Sequence, residues 1–140
     1  MIWHRPIRIE FNHCDPAGIV FYPRYFEMTN SVAENFFREV AGLPYEVMMA
    51  GGNGVPLAQV TAEFHAPSRL GEVLDWQLSI ERIGRASITC HIEAHHLDER
   101  GAGSHRLTAG LTLVYVDGSG QSHPWPDDVR ARIIAFQEKP

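Results

Sequence analysis

Between residues 57 and 116 the chain runs through four successive stretches in which apolar and polar side chains alternate. Ala58, Val60, Ala62 and Phe64 share one parity over 57–64, and Leu74, Trp76, Leu78 and Ile80 share one over 72–82. Ile88, Cys90, Ile92 and Ala94 do so over 86–95, and Leu107, Ala109, Leu111, Leu113 and Tyr115 over 106–116. A period of two sends alternate side chains to opposite faces, so each stretch reads as an antiparallel strand with one buried face. The connections at residues 67–71, Gly84-Arg85 and residues 98–103 are short and rich in turn residues, which suits hairpins or short crossings. A fifth strand is predicted over 3–11, with Trp3, Ile7, Ile9 and Phe11 on one side and Arg8 and Glu10 on the other.

One segment between these strands has a different period. Tyr22, Phe26, Ala33, Phe36, Phe37 and Val40 fall on one face of a helix over 23–41, opposite Arg24, Glu27, Ser31, Glu34 and Arg38. Pro23 suits the first helical turn, where its missing N–H costs nothing, and Gly42 followed by Pro44 suits the end. Shorter helices are predicted over 44–50 and 126–137. An antiparallel sheet of five strands must cover its apolar face, and only the long helix is large enough to do so. The expected class is α+β, with a sheet wrapped around one central helix. Its open edge strands favour pairing with a second copy.

The 140 residues suit one unit spanning 1–140, with no repeat or linker. A chain of this length buries roughly 70% of the surface it would expose unfolded, so it needs neither disulfide nor metal to fold. Cys14 and Cys90 are too few for a disulfide framework, and no stretch reads as a signal peptide or membrane span, so a cytoplasmic setting is expected. A net charge of −5 without a cluster of Lys or Arg argues against nucleic acid as a partner. No metal or other cofactor is expected. His91 and His95 share a strand face but lie about 13 Å apart at strand rise, too far for one zinc ion, and His95 and His96 point opposite ways.

The densest polar cluster is His13-Cys14-Asp15, between the first strand and the long helix. The free N–H groups of a helix start favour negative charge, and a carboxylate near them makes a pair suited to acyl transfer. The carboxylate supplies a base or nucleophile, and an N–H polarises the carbonyl. Tyr22 is the residue whose backbone N–H projects there, since Pro23 has none. Asp15 also fits an ordinary Asp-Pro turn, and His13 an ordinary loop histidine. Cys14 beside Asp15 is a poor thiolate and reads as structural.

The run Arg8-Ile9-Glu10-Phe11-Asn12-His13-Cys14-Asp15-Pro16-Ala17-Gly18-Ile19-Val20-Phe21-Tyr22-Pro23-Arg24-Tyr25 resembles the signature of the 4-hydroxybenzoyl-CoA thioesterase family. Strand order and the Gly84-Arg85-Ala86-Ser87 turn extend the resemblance over roughly residues 7–116. It implies the hotdog fold and hydrolysis of an acyl-CoA to free acid and CoA. In the family's scheme, Asp15 is the catalytic carboxylate, as nucleophile or general base, and the Tyr22 N–H polarises the thioester. Sites then lie at dimer interfaces, and the homodimer pairs into a homotetramer. His13 departs from the pattern, because some members carry an acidic residue there.

Arg85 and Ser87 match the family region near the nucleotide of CoA, with Arg82 close by. The acyl group would lie against Val55, Pro56, Val60 and the helix face. Two other readings use the same fold. A non-catalytic acyl-CoA-binding module would be expected to lose the carboxylate, and a hydratase or dehydratase to carry a His-Phe-Pro type motif. Neither pattern is present here.

Overall fold

The predicted alternation becomes a five-stranded antiparallel sheet in the computed structural model, which describes residues 1–101 and 103–140. The strands are β1 (Trp3–Arg8), β2 (Leu57–Phe64), β3 (Val73–Ile83), β4 (Ser87–Leu97) and β5 (Gly103–Val114). Ala102, in the connection expected over 98–103, lies outside the described residues. The strand order is β1-β3-β4-β5-β2, so β1 and β2 form the two edges. Register pairs Ile7 with Leu74, Leu78 with Ile92 and Ala109 with Ala62, which sends the apolar parities to one face.

Helix α1 (Pro23–Phe36) crosses that face, and its last turn widens into a π-helical turn over Phe37–Ala41. There the Gly42 N–H reaches the Phe37 carbonyl, and Gly42 takes a left-handed φ of 69° that favours glycine. The buried stripe is Tyr25, Met28, Thr29, Val32, Ala33 and Phe36. This corrects the expected stripe by a fraction of a turn. Tyr22 and Phe26 are exposed on its flank, where both rings lie edge-on to Phe64 of β2. The apolar residues of α1 cover more than one face, so spacing alone did not choose which of them would meet the sheet.

Helix α2 (Tyr45–Ala50) and helix α3 (Asp127–Glu138) complete the chain. Val129, Ile133 and Phe136 of α3 close the core end of α1, with Phe136 edge-on to Phe36 at 5.3 Å. Trp125 stacks between Phe37 and Tyr115. Phe11, expected inside, is 77% exposed, because a 3-10 turn over Phe11–His13 ends the alternation of β1. Arg106 is buried and forks onto Glu72, with Nη1–Oε1 at 2.9 Å and Nη2–Oε2 at 3.1 Å. Its Nη1 also donates to the Pro67 carbonyl and to Ser68 Oγ. One guanidinium thus ties β5 to the segment entering β3.

Candidate active site

The chain from Ile9 to Tyr22 is a tight excursion held from both sides. Ile9 exchanges backbone hydrogen bonds with Glu72 and Gly71, and the Val20 N–H donates to Ser68 O. The same 67–72 segment is the one clamped by Arg106. Within the excursion, the Phe21 N–H donates to His13 O, Cys14 bridges Val20, and the Asp15 N–H donates to Ile19 O. A β-turn closes the tip, with the Gly18 N–H donating to Asp15 O at 2.9 Å and Gly18 at a φ of 79°. Asp first, Pro second and Gly fourth is the residue order such a turn favours.

The half-buried Asp15 side chain serves this turn: Oδ1 accepts the Ala17 N–H at 2.9 Å. His13 Nδ1 accepts the Glu10 N–H at 2.8 Å, which caps the 3-10 turn and fixes the proton on Nε2 when the ring is neutral. The ladder sets His13, not Asp15, opposite Phe21. Asp15 therefore stands at the tip of the excursion and Tyr22 at its helix end. Within one chain Asp15 Oδ1 accepts the turn's own Ala17 N–H, and Tyr22 follows at the other end of the excursion.

The helix start itself has the expected character. Arg24 and Tyr25 donate to the Phe21 and Tyr22 carbonyls, and Pro23 has no N–H. Among the described residues the Tyr22 N–H has no acceptor, and the first turn of α1 holds no acidic side chain. The positive end of a 14-residue helix is thus left for an outside acceptor. Beside it opens a hollow of about 590 Å³ lined by Ile19, Tyr22, Phe64 and Pro67.

Val55, Pro56 and Val60 line a second cavity, of about 300 Å³, between α1 and the β2 and β5 strands. Phe26, Ala33 and Leu113 supply more apolar wall, and Thr29, Asn30 and Tyr45 the polar groups. Burial pushes the Tyr45 phenol up to about 12, so it stays protonated and can donate a hydrogen bond. Sequence reasoning missed Tyr45 and Asn30, since neither stands in a motif and only the packing of α2 and β2 against α1 makes them neighbours. Phe64 lies between the two hollows and touches Tyr22, Tyr25 and Phe26.

Arg82, Arg85 and Ser87 lie at the far end of the sheet. Arg85 is exposed in the β3–β4 turn, which the Gly84 N–H closes onto Ser87 O and which Trp125 and Arg130 brace from the C-terminal segment. The Asp15 excursion adjoins the start of β3 and Arg85 its end, so about 35 Å of strand separates them in one chain. Burial pushes the Cys90 thiol up to about 12, so it is not an activated nucleophile, and the Cys14 thiol donates weakly to Glu10 O.

On the outer face of the sheet, Glu93, His95 and His105 place one ligand atom each within 4.8 Å of one another. Hydrogen bonds from His91 and His95 hold the Glu93 carboxyl below the usual carboxylate range. The distance argument from sequence considered His91 and His95 along one strand. It had no access to His105, which the β4–β5 register brings alongside.

Comparison with known proteins agrees with this architecture. Over 83 residues, 57% of this chain and 58% of the relative, it is 35% identical to a 4-hydroxybenzoyl-CoA thioesterase of Pseudomonas sp. (strain CBS-3). The match thus spans little more than half the length of that curated relative. A crystal structure of a 4-hydroxybenzoyl CoA thioesterase mutant complexed with 4-hydroxybenzoyl CoA superposes with a TM-score of 0.85 at 25% identity, covering 94% of this chain and 98% of that one. The fold is also that of a 1,4-dihydroxy-2-naphthoyl-CoA thioesterase from Synechocystis, with a TM-score of 0.86 at 17% identity over 99% and 100% of the two chains. The model of the Thioesterase-like superfamily matches residues 9–133, and the chain belongs to that superfamily.

Proposed function

We propose that this protein is an acyl-CoA thioesterase that hydrolyses its substrate to a free acid and CoA. The observation that carries the reading is the unpartnered Tyr22 N–H at the start of α1, beside a hollow and one short excursion from Asp15. The similarity to a 4-hydroxybenzoyl-CoA thioesterase supplies the substrate class.

The chemistry follows from those groups. The thioester oxygen accepts the Tyr22 N–H, whose hydrogen bond strengthens as the oxygen gains charge. In one route Asp15 takes a proton from water as the water oxygen attacks the carbonyl carbon. The tetrahedral intermediate then collapses, the C–S bond breaks, and the thiolate leaves and is protonated. In the other, Asp15 attacks the carbonyl carbon, the C–S bond breaks and the thiolate leaves, and water hydrolyses the resulting anhydride at its aspartyl carbon. In either route Oδ2 can act while Oδ1 keeps the Ala17 N–H, since an ionised carboxylate has two accepting oxygens. A single turnover in ¹⁸O water separates them, because only the anhydride route carries solvent oxygen into the Asp15 carboxylate.

The site is completed by a second copy. β2 is an edge strand whose Leu57, Val60 and Phe64 are exposed. Pairing two β2 edges antiparallel about a two-fold axis sets the Leu57 end of one chain beside the Phe64 end of the other. That brings one chain's Asp15, Tyr22 and Phe64 toward the other chain's Val55, Pro56 and Arg85. The acyl group then lies in the Val55–Val60 cavity, and Arg85, Ser87 and Arg82 meet the CoA phosphates. His13 shapes the excursion through its cap. The proposed setting is the cytoplasm, where Cys14 and Cys90 stay as free thiols, with two homodimers forming a tetramer.

The test is a panel of acyl-CoAs, from short aliphatic to aromatic, with release of free thiol as the readout. Release by the wild-type protein supports the proposal. Saturable binding without release would replace it with a binding module, and water adding across a double bond would replace it with a hydratase.

A further inference from the structure

The outer face of β4 and β5 carries a cluster that thioester hydrolysis does not use. Four of the chain's eight histidines, His65, His91, His95 and His105, are linked through ring contacts and hydrogen bonds that meet at Glu93 and Thr108. A register shift after Ala94 makes His95 and His105 direct partners across the two strands, and their rings stack with centroids 4.5 Å apart. Glu93, two residues before His95, reaches the same face, with Oε1 at 3.0 Å from His95 Nε2 and 3.4 Å from His105 Nε2. With bonds of about 2.0–2.1 Å, two ligand atoms on one tetrahedral ion stand about 3.3 Å apart. Both measured separations already fall near that value.

His105 Nε2 also lies 3.0 Å from the Leu107 carbonyl, a bond that the ion would displace, and the other contacts suit a coordinating set. Glu93 Oε2 lies 2.9 Å from His91 Nε2, so a histidine orients the carboxylate from its far side. Thr108 Oγ1 is 2.9 Å from both His105 Nε2 and His65 Nε2, and the His65 ring centroid lies 4.3 Å from that of His105. The side chains of Glu93, His95 and His105 are 24–36% exposed, which leaves an approach from solvent. Imidazole and carboxylate ligands together favour a borderline divalent ion over Ca²⁺ or Mg²⁺.

We propose that Glu93, His95 and His105 bind one divalent cation of the Zn²⁺ class per chain, cross-linking β4 to β5 at the bulge. His65 or water takes the fourth position. The site is independent of the thioesterase reading, because it lies on the sheet face turned away from α1.

Untagged protein stripped with a chelator is titrated with Zn²⁺ by calorimetry, and its melting temperature is measured with and without the ion. The expected result is one Zn²⁺ per chain, a higher melting temperature, and visible bands of a four-coordinate ion when Co²⁺ is substituted. His95→Ala and His105→Ala abolish saturable binding, and His91→Ala weakens it roughly 10–100-fold. His123→Ala and Asp15→Asn bind as the wild type does. Circular dichroism confirms that each variant folds, and His105→Gln serves if His105→Ala does not. No saturable binding by the wild type, one ion per two chains, or binding that survives the His95→Ala and His105→Ala pair would overturn the proposal.

Discussion

Asp15 holds a turn with the same carboxylate that is proposed to act on the thioester. Asp-Pro-Ala-Gly was legible as a turn because its cause is local, a fixed proline φ and a glycine at 79°. Where the carboxylate points was not legible, since the pose that accepts the Ala17 N–H and the pose that meets a thioester need the same residues. His13 was equally ambiguous in sequence, and the structure gives it a capping bond to Glu10. The excursion that carries both residues leans on the 67–72 segment, and Glu72 secures that segment to Arg106. The Arg106 guanidinium holds the Glu72 carboxyl down at about 2, well below its usual 4.5. A depressed carboxyl stabilises the fold fully above its unfolded value, and that stability disappears as pH falls from about 4.5 toward about 2. Glu72→Gln leaves Arg106 buried without its counter-charge and is expected to cost about 3 kcal/mol near neutral pH. Denaturant midpoints measured across that pH range should fall steeply for the wild type and much less for Glu72→Gln.

Among the elements, the strands were the most legible, because a period of two survives with little help from tertiary contacts. The exceptions are β2, whose expected inner face of Ala58, Val60, Ala62 and Phe64 is nowhere fully buried at the sheet edge, and the end of β1, where the 3-10 turn at Phe11–His13 ends the alternation and leaves Phe11 outside. Helix α1 was legible in extent but not in orientation. Tyr22 and Phe26 were expected inside, and they instead form a flank with Phe64. The histidine cluster was invisible for a related reason, since the pairing of His95 with His105 depends on a bulge between strands. Gly42 was expected at the helix end, and its left-handed conformation there also follows a π-helical turn. A methyl group at Gly42 would meet both that φ and the Arg132 guanidinium. Gly42→Ala is expected to destabilise the protein by about 1–2 kcal/mol, read from chemical denaturation, with the m-value unchanged.

For the molecule as a whole, the two ends of the sheet pose the main constraint. About 35 Å of strand lies between the Asp15 excursion and Arg85 in one chain, so the proposed use of both on one acyl-CoA calls for the β2 edge to pair with a second copy. Its exposed Leu57, Val60 and Phe64, with Phe26 and Tyr22 beside them, supply the apolar surface for that contact. Phe64→Glu places a charge in this strip and should yield a monomer by analytical ultracentrifugation, with thioester hydrolysis lost alongside assembly. A Phe64→Glu protein that stayed dimeric would move the interface elsewhere. The central claim is that this assembled protein cleaves thioesters through one carboxylate. Its most direct test is the rate of CoA release by Asp15→Asn beside the wild type, on the acyl-CoA turned over fastest and with matched dichroism and assembly state. The account predicts a fall of roughly 10²–10⁴-fold in kcat. A variant that releases CoA at the wild-type rate would contradict it.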